Sequence, residues 1–179
     1  MIIIPIWICV APPTIANLGL IIATISTIVL DVMRLSDNRL RSFFLRFFRS
    51  LMRPHEEEHL MGSSYFMIAA LISVLLFEKP VAISALTFLV LGDASAAIIG
   101  KKFGRIRFWE KSVEGSLTCF VVCCLVGMII LGHDPTALRI TLAGSAAATI
   151  AEALPAPMDD NMRVPILSGL VMHFISYIA

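Results

Sequence analysis

The sequence predicts an all-α fold, a polytopic membrane helix bundle of about six transmembrane helices with one interfacial amphipathic helix. Three observations lead there. Of the 179 residues, 58% are hydrophobic and only 15% are charged, too little polarity to cover a soluble domain. The apolar residues fall in runs of membrane length, separated by turns that hold most of the prolines and charges. The cations, finally, crowd into alternate turns. The formal net charge of +1 is confined to a few loops and gives no electrostatic footprint for nucleic acid.

Taken in order, residues 1–30 are almost wholly apolar and are interrupted by Pro12-Pro13. The first span is expected over about 12–30, with 1–11 as a kinked or interfacial extension. That extension has no basic leading region and no small-residue cleavage site, so it reads as retained structure rather than a signal peptide. Leu40, Phe43, Phe44, Phe47, Phe48 and Leu51 then recur at helical spacing, with Arg39, Arg41, Arg46, Arg49 and Arg53 largely off the stripe. With Ser36 as N-cap, this is the interfacial helix, over about 36–53. His55-Glu56-Glu57-Glu58-His59 leads into a second span at about 60–77. Further spans follow at about 81–100, 116–131, 137–153 and 164–178. Short turns make neighbouring helices antiparallel, and 1–179 form one integral-membrane domain.

With six spans, loops 31–59, 101–115 and 154–163 share one face. They carry Arg34, the five arginines of the interfacial helix, Lys101, Lys102, Arg105, Arg107, Lys111 and Arg163. The opposite face has only Lys79 and, at a helix start, Arg139. The excess of cations places the crowded face in the cytoplasm and both termini outside. Asp93, Glu114, Glu152, Asp159, Asp160 and the cluster Glu56–Glu58 fall on the same side. Every group able to do chemistry therefore converges on one membrane face.

The most informative stretch is Gly92 to Ser116, GDASAAIIGKKFGRIRFWEKSVEGS. A carboxylate inside a membrane-length segment is costly, which makes Asp93 a functional candidate; a packing seam with Asp93 paired to a cation is the structural alternative. Asp93, Ala96, Ala97 and Gly100 share a helix face whose small residues allow close approach. Gly100 and Gly104 bracket Lys101-Lys102, which suits a phosphate, although the spacing is not that of a Walker A loop. Composition alone also allows a cationic anchor to lipid headgroups. Lys111-Ser112 and Glu114-Gly115-Ser116 open the fourth span, whose N-terminal dipole favours an anion. Asp159-Asp160-Asn161, after two prolines, reads either as a solvated turn or as a ligand group. Cys9, Cys119, Cys123 and Cys124 lack metal-ligand spacing and read as buried small hydrophobes. His133 and His173 have no sequence partner and read as structural.

Gly92-Asp93, Ala96, Gly100, Gly104 and Lys111-Ser112-x-Glu114-Gly115-Ser116 together resemble the signature of the CTP-dependent lipid kinases, which include dolichol kinase, phytol kinase and CTP-using diacylglycerol kinase. Glu58, Gly62 and Tyr65 are similar to that family's upstream motif. Glu152, Asp159-Asp160-Asn161 and Pro165 are similar to its downstream one. The resemblance implies transfer of the γ-phosphoryl group of CTP to a lipid alcohol such as a polyprenol or dolichol, phytol or diacylglycerol. It implies Mg²⁺ on Asp93, Asp159 and Asp160, with one of them free to orient the lipid hydroxyl instead. Lys111, with Lys101 or Lys102, would neutralise the triphosphate, and Gly100, Gly104 and Gly115 would let the backbone approach it. Ser112 and Ser116 flank this nucleotide loop. Glu114 would hold a lysine or the nucleotide sugar, and Asn161 an edge of cytosine or the metal shell. Glu58 and Glu152 would support the site or touch substrate. Phosphatidate cytidylyltransferases share the central pattern, but their His-Gly-Gly and Asp-Arg-x-Asp runs are missing. A non-enzymatic lipid-binding protein of the same fold is the third alternative. A homodimer is compatible with all of these, and the membrane and the lipid are not specified by the sequence.

Overall fold

The computed structural model describes residues 1–37, 41–42, 44, 59–109 and 111–178. The interfacial helix expected over about 36–53, and the acidic cluster containing Glu58, lie outside the described residues apart from the few positions just named. Ser36, expected to cap that helix, is instead the last residue of the helix before it.

The elements follow the apolar runs. Helix α1 (Ile3–Val10) is separated from α2 (Pro13–Ser36) by the extended Pro12, while Pro13 sits in the first turn of α2, where its missing N–H leaves nothing unsatisfied. Then come α3 (Gly62–Leu76) and α4 (Lys79–Phe103), the latter carrying a π-helical turn over Phe88–Asp93. A short antiparallel hairpin, β1 (Arg107–Phe108) with β2 (Lys111–Ser112), leads into α5 (Val113–Leu131). Gly132, at φ +103°, ends α5. Asp134 then caps α6 (Pro135–Ala153) by accepting from Ala137 N at 3.2 Å, and α7 (Asp160–Ile178) closes the chain.

Helices α2 to α7 sit at the six expected spans. Three of them, α2, α4 and α5, are long and apolar enough to cross a membrane, and α3 is a shorter apolar helix. Helix α2 runs past the expected end at residue 30, and α4 is not the uniform helix expected. The first difference has a physical cause in a buried ion pair within the last turns of α2. The second places an irregular turn directly before Asp93.

Packing follows the membrane pattern rather than the aqueous one. On α5, Gly115, Cys119, Cys123 and Gly127 form the buried stripe, and Leu117, Val121, Leu125 and Ile129 the exposed one. Large apolar side chains therefore face outward while small ones let neighbouring helices approach. Cys119 and Cys123 are buried and fit the reading as small hydrophobes, and the Cys123 thiol also donates to Phe88 O at 3.8 Å, whereas Cys9 is exposed and Cys124 only half-buried, against that reading. The most extensive contact is between α4 and α5, with α6 against α7 next. Phe66, Leu86, Phe88 and Met172 fill the interior.

Candidate functional site

Asp93 ends the π-helical turn of α4. Beside it, Gly92 packs so closely on α5 that a Cβ there would lie 2.8 Å from Cys123 Sγ. The chain between α4 and α5 is held by its own polar groups. Glu114 Oε1 accepts from the backbone N–H groups of Arg105 (3.0 Å) and Ile106 (3.3 Å). Ser112 Oγ accepts from Gly115 N at 3.1 Å and so caps α5. A Cβ at Gly115 would stand 2.8 Å from the Ala96 carbonyl oxygen, and one at Gly100 would stand 2.8 Å from Ser112 Oγ. These contacts bring the hairpin back onto α4, and with it Lys111.

Lys111 Nζ is 2.5 Å from Glu152 Oε1 and 3.7 Å from Asp93 Oδ1. The Glu152 side chain is 2% exposed, against 32% for Lys111 and 28% for Asp93. Burial opposes the charge on Lys111. The hydrogen bond and charge of Glu152, then the charges of Asp93 and Asp160, outweigh it and hold the ammonium pKa above its ordinary value. Glu152 Oε2 is buried without a hydrogen-bond partner among the described residues.

The loop after α6 supplies the third group of residues. Asp159 caps α7: its Oδ1 accepts from Asn161 N (2.9 Å) and Asn161 Nδ2 (2.8 Å), and its carbonyl accepts from Arg163 N at 3.0 Å. Asn161 Nδ2 also approaches Asp160 Oδ1 at 3.4 Å. The amide of Asn161 is thus turned toward two carboxylates.

Lys111, Glu152, Asp159, Asp160 and Arg163 line a cavity of about 720 Å³, completed by His59, Tyr65, Trp109 and the proline-containing segment 154–158. This volume lies in the range of small-molecule sites. Of the residues expected in a site, Lys111, Glu152, Asp159 and Asp160 meet here, and Asp93 joins them through Lys111. Lys101 and Lys102 do not line the cavity; they are exposed in the last turn of α4, Lys102 over the Phe103 ring at 5.3 Å. Gly100, Gly104, Ser112 and Gly115 build the loop rather than the wall, and Ser116 Oγ is buried without a partner among the described residues. Among the described residues no group of three His, Cys, Asp or Glu is arranged as a metal cage.

Two features escape a reading of the sequence for site chemistry. One is a clamp at the end of α2. Arg34 Nε donates to Asp31 Oδ1 (2.9 Å) and Arg34 Nη2 to His59 O (2.7 Å). Asp31 Oδ2 accepts from Met61 N (2.7 Å) and Ser64 Oγ (2.8 Å). With both charges buried, the clamp fixes the segment that brings His59 and Tyr65 to the cavity. Its signal is an Asp-x-x-Arg pair closing an apolar run. The other is Arg163, counted for topology alone, whose position one turn after Asp159-Asp160 was its signal.

The chain is 30% identical over 185 residues to an uncharacterized protein of Rickettsia prowazekii, covering 99% of this chain and 90% of the relative. It is 26% identical over 181 residues to CTP-dependent diacylglycerol kinase 1 of Saccharomyces cerevisiae, covering 87% of this chain and 62% of that kinase. It is also 33% identical over 134 residues to a probable phytol kinase of Glycine max, covering 65% and 44% respectively. It therefore spans less than two thirds of the length of either kinase. No family model matches the chain, and neither does a solved structure.

Proposed function

The chain belongs to the CTP-dependent lipid kinase family, and from that premise we propose that it transfers the γ-phosphoryl group of CTP to the hydroxyl of a membrane lipid alcohol. The observation that carries this reading is the chain of charges Asp93, Lys111 and Glu152 at the cavity that Asp159 and Asp160 also line. Phosphoryl transfer asks a protein for positioning and charge stabilisation more than for covalent chemistry. Lys111 is suited to that work, because its acidic neighbours keep it protonated and Glu152 fixes its direction. Its ammonium neutralises phosphate oxygens as charge moves toward the leaving CDP. One of the aspartates, Asp93 by its place beside Lys111, orients the acceptor hydroxyl and takes its proton.

A triphosphate carries about four negative charges near neutral pH, and bare carboxylates beside it repel it. Asp159 and Asp160 are compatible with Mg²⁺ of the kind that keeps waters and shares its shell with substrate phosphates, which needs one or two protein carboxylates rather than a cage. Held by Asp159 and Asp160, Mg²⁺ would supply charge neutralisation to the phosphates. Asn161 positions both aspartates through its amide. Glu114 serves the site indirectly, holding the loop that carries Lys111. Residues 1–179 act as one catalytic domain of six spans, with the cavity on the cytoplasmic face where the cations gather.

The product identifies the reaction. Purified protein given CTP and a lipid alcohol should release CDP, with CTP preferred to ATP as donor. Release of pyrophosphate with phosphatidate as acceptor would assign a cytidylyltransferase instead.

A further inference from the structure

Arg163 is a cation with work left undone. It lies in the first turn of α7, three and four residues after Asp160 and Asp159, and lines the cavity with Lys111. Its Nε and Nη1 are both buried, and neither finds a hydrogen-bond partner among the described residues. A guanidinium is always charged, and its donors form a fixed fork that matches the oxygens of a phosphate or carboxylate. Buried donors of a charged group are costly to leave unmet. Lys111 differs in having Glu152 and Asp93 to satisfy it. Among the described residues two cations thus meet one cavity, and of these Lys111 alone is neutralised by Glu152 and Asp93. The N-terminal end of α7 adds a partial positive charge on the same side.

We infer that Arg163 is a phosphate-binding residue of this cavity, its Nε–H and Nη1–H donating to non-bridging oxygens of one phosphate group. The phosphate belongs to the donor nucleotide. That assignment rests on the function proposed above, because a phosphorylated lipid offers the same oxygens. Arg163 positions the phosphate chain so that the γ-phosphorus reaches the acceptor hydroxyl near Asp93 and Lys111. A residue in this role sets donor affinity and orientation while taking no proton.

The test is equilibrium binding to the purified full chain in detergent, with three probes: CTP, inorganic tripolyphosphate and a short-chain lipid phosphate. The variants are Arg163→Gln, which removes the charge and the fork, and Arg163→Lys, which keeps only the charge. Arg163→Gln should weaken CTP and tripolyphosphate by a similar factor, about tenfold or more, because the lost contacts are charge-assisted. Arg163→Lys should fall between it and the parent and should fold if Gln at this position does not. Unchanged CTP and tripolyphosphate binding in a folded Arg163→Gln protein overturns the inference. Selective loss of the lipid phosphate overturns the assignment to the donor. If the parent binds tripolyphosphate in an Arg163-dependent way yet transfers no phosphoryl group from CTP to any lipid alcohol, the kinase reading fails and the phosphate site stands.

Discussion

The pair Lys111–Glu152 predicts an asymmetry that a surface ion pair would not show. Glu152 is 2% exposed and Lys111 is 32% exposed, so the two partners leave different things behind. Lys111→Met strands a buried carboxylate, a change that costs about 3–5 kcal/mol. Glu152→Gln leaves an ammonium that water reaches, with Asp93 still 3.7 Å away and an amide oxygen still able to accept; that costs about 1–2 kcal/mol. For a chain of this length these translate to falls of roughly 6–20 °C and roughly 2–8 °C in melting temperature. The double variant Lys111→Met, Glu152→Gln should be more stable than Lys111→Met alone, since no charge is then stranded. Thermal melts in one detergent can be followed with a thiol-reactive fluorophore once the exposed Cys9 is replaced by serine, because Cys119 and Cys123 are free and buried until the bundle opens. The pH dependence has a definite sign. The Lys111 pKa is raised, so its contribution is complete below the ordinary value of 10.5 and is lost only as pH climbs through the higher folded value. The gap between parent and Lys111→Met should hold constant through neutral pH. Equal losses from the two single variants, adding in the double, would refute a buried pair at this position.

Asp93→Asn keeps shape and removes charge, so the protein should fold and lose turnover by several orders of magnitude; near-normal turnover would make Asp93 a packing residue. Asp160→Ala should raise the Mg²⁺ concentration for half-maximal activity or abolish turnover, with little effect on the melt. Asp159→Ala should do the same and additionally cost about 1 kcal/mol, because Asp159 caps α7; parent-like Mg²⁺ titration in both variants would make the loop a structural turn. Gly115→Ala forces a Cβ to 2.8 Å from a backbone oxygen of α4, and separating those segments should cost about 1–3 kcal/mol in the same melt.

Much of this arrangement was legible in the sequence because membrane helices announce themselves by length and apolarity. Asp93 and Lys111 stood in one stretch, and Glu152 and Asp159-Asp160 met them once alternate turns were assigned to one face. Asp159 was read as part of a solvated turn or a ligand group, and its capping role was missed, because the hydrogen bonds of a helix cap depend on where the helix starts, and the expected start at 164 lay four residues too late. The clamp of Asp31 and Arg34 was hidden for another reason. Two charges closing an apolar run look like the end of a span, whereas their partners His59, Met61 and Ser64 lie 25 to 33 residues away. The π-helical turn left no trace in periodicity, since six residues within a long apolar run change no hydropathy average. The glycines were read for phosphate approach alone; that Gly100 and Gly115 also let α4 and α5 touch depends on which surfaces the fold brings to them, which spacing does not give.

If this cavity moves the terminal phosphoryl group of CTP onto a lipid hydroxyl, as proposed, the γ-phosphorus must end in the lipid. The direct measurement supplies γ-labelled CTP to the purified parent and to Asp93→Asn, each with a panel of polyprenol, phytol and diacylglycerol. Label is expected in the lipid fraction for the parent with at least one alcohol, matched by CDP, and none for Asp93→Asn. Label that stays in the aqueous phase with every alcohol, or that reaches lipid only when carried on the α-phosphate, would contradict it.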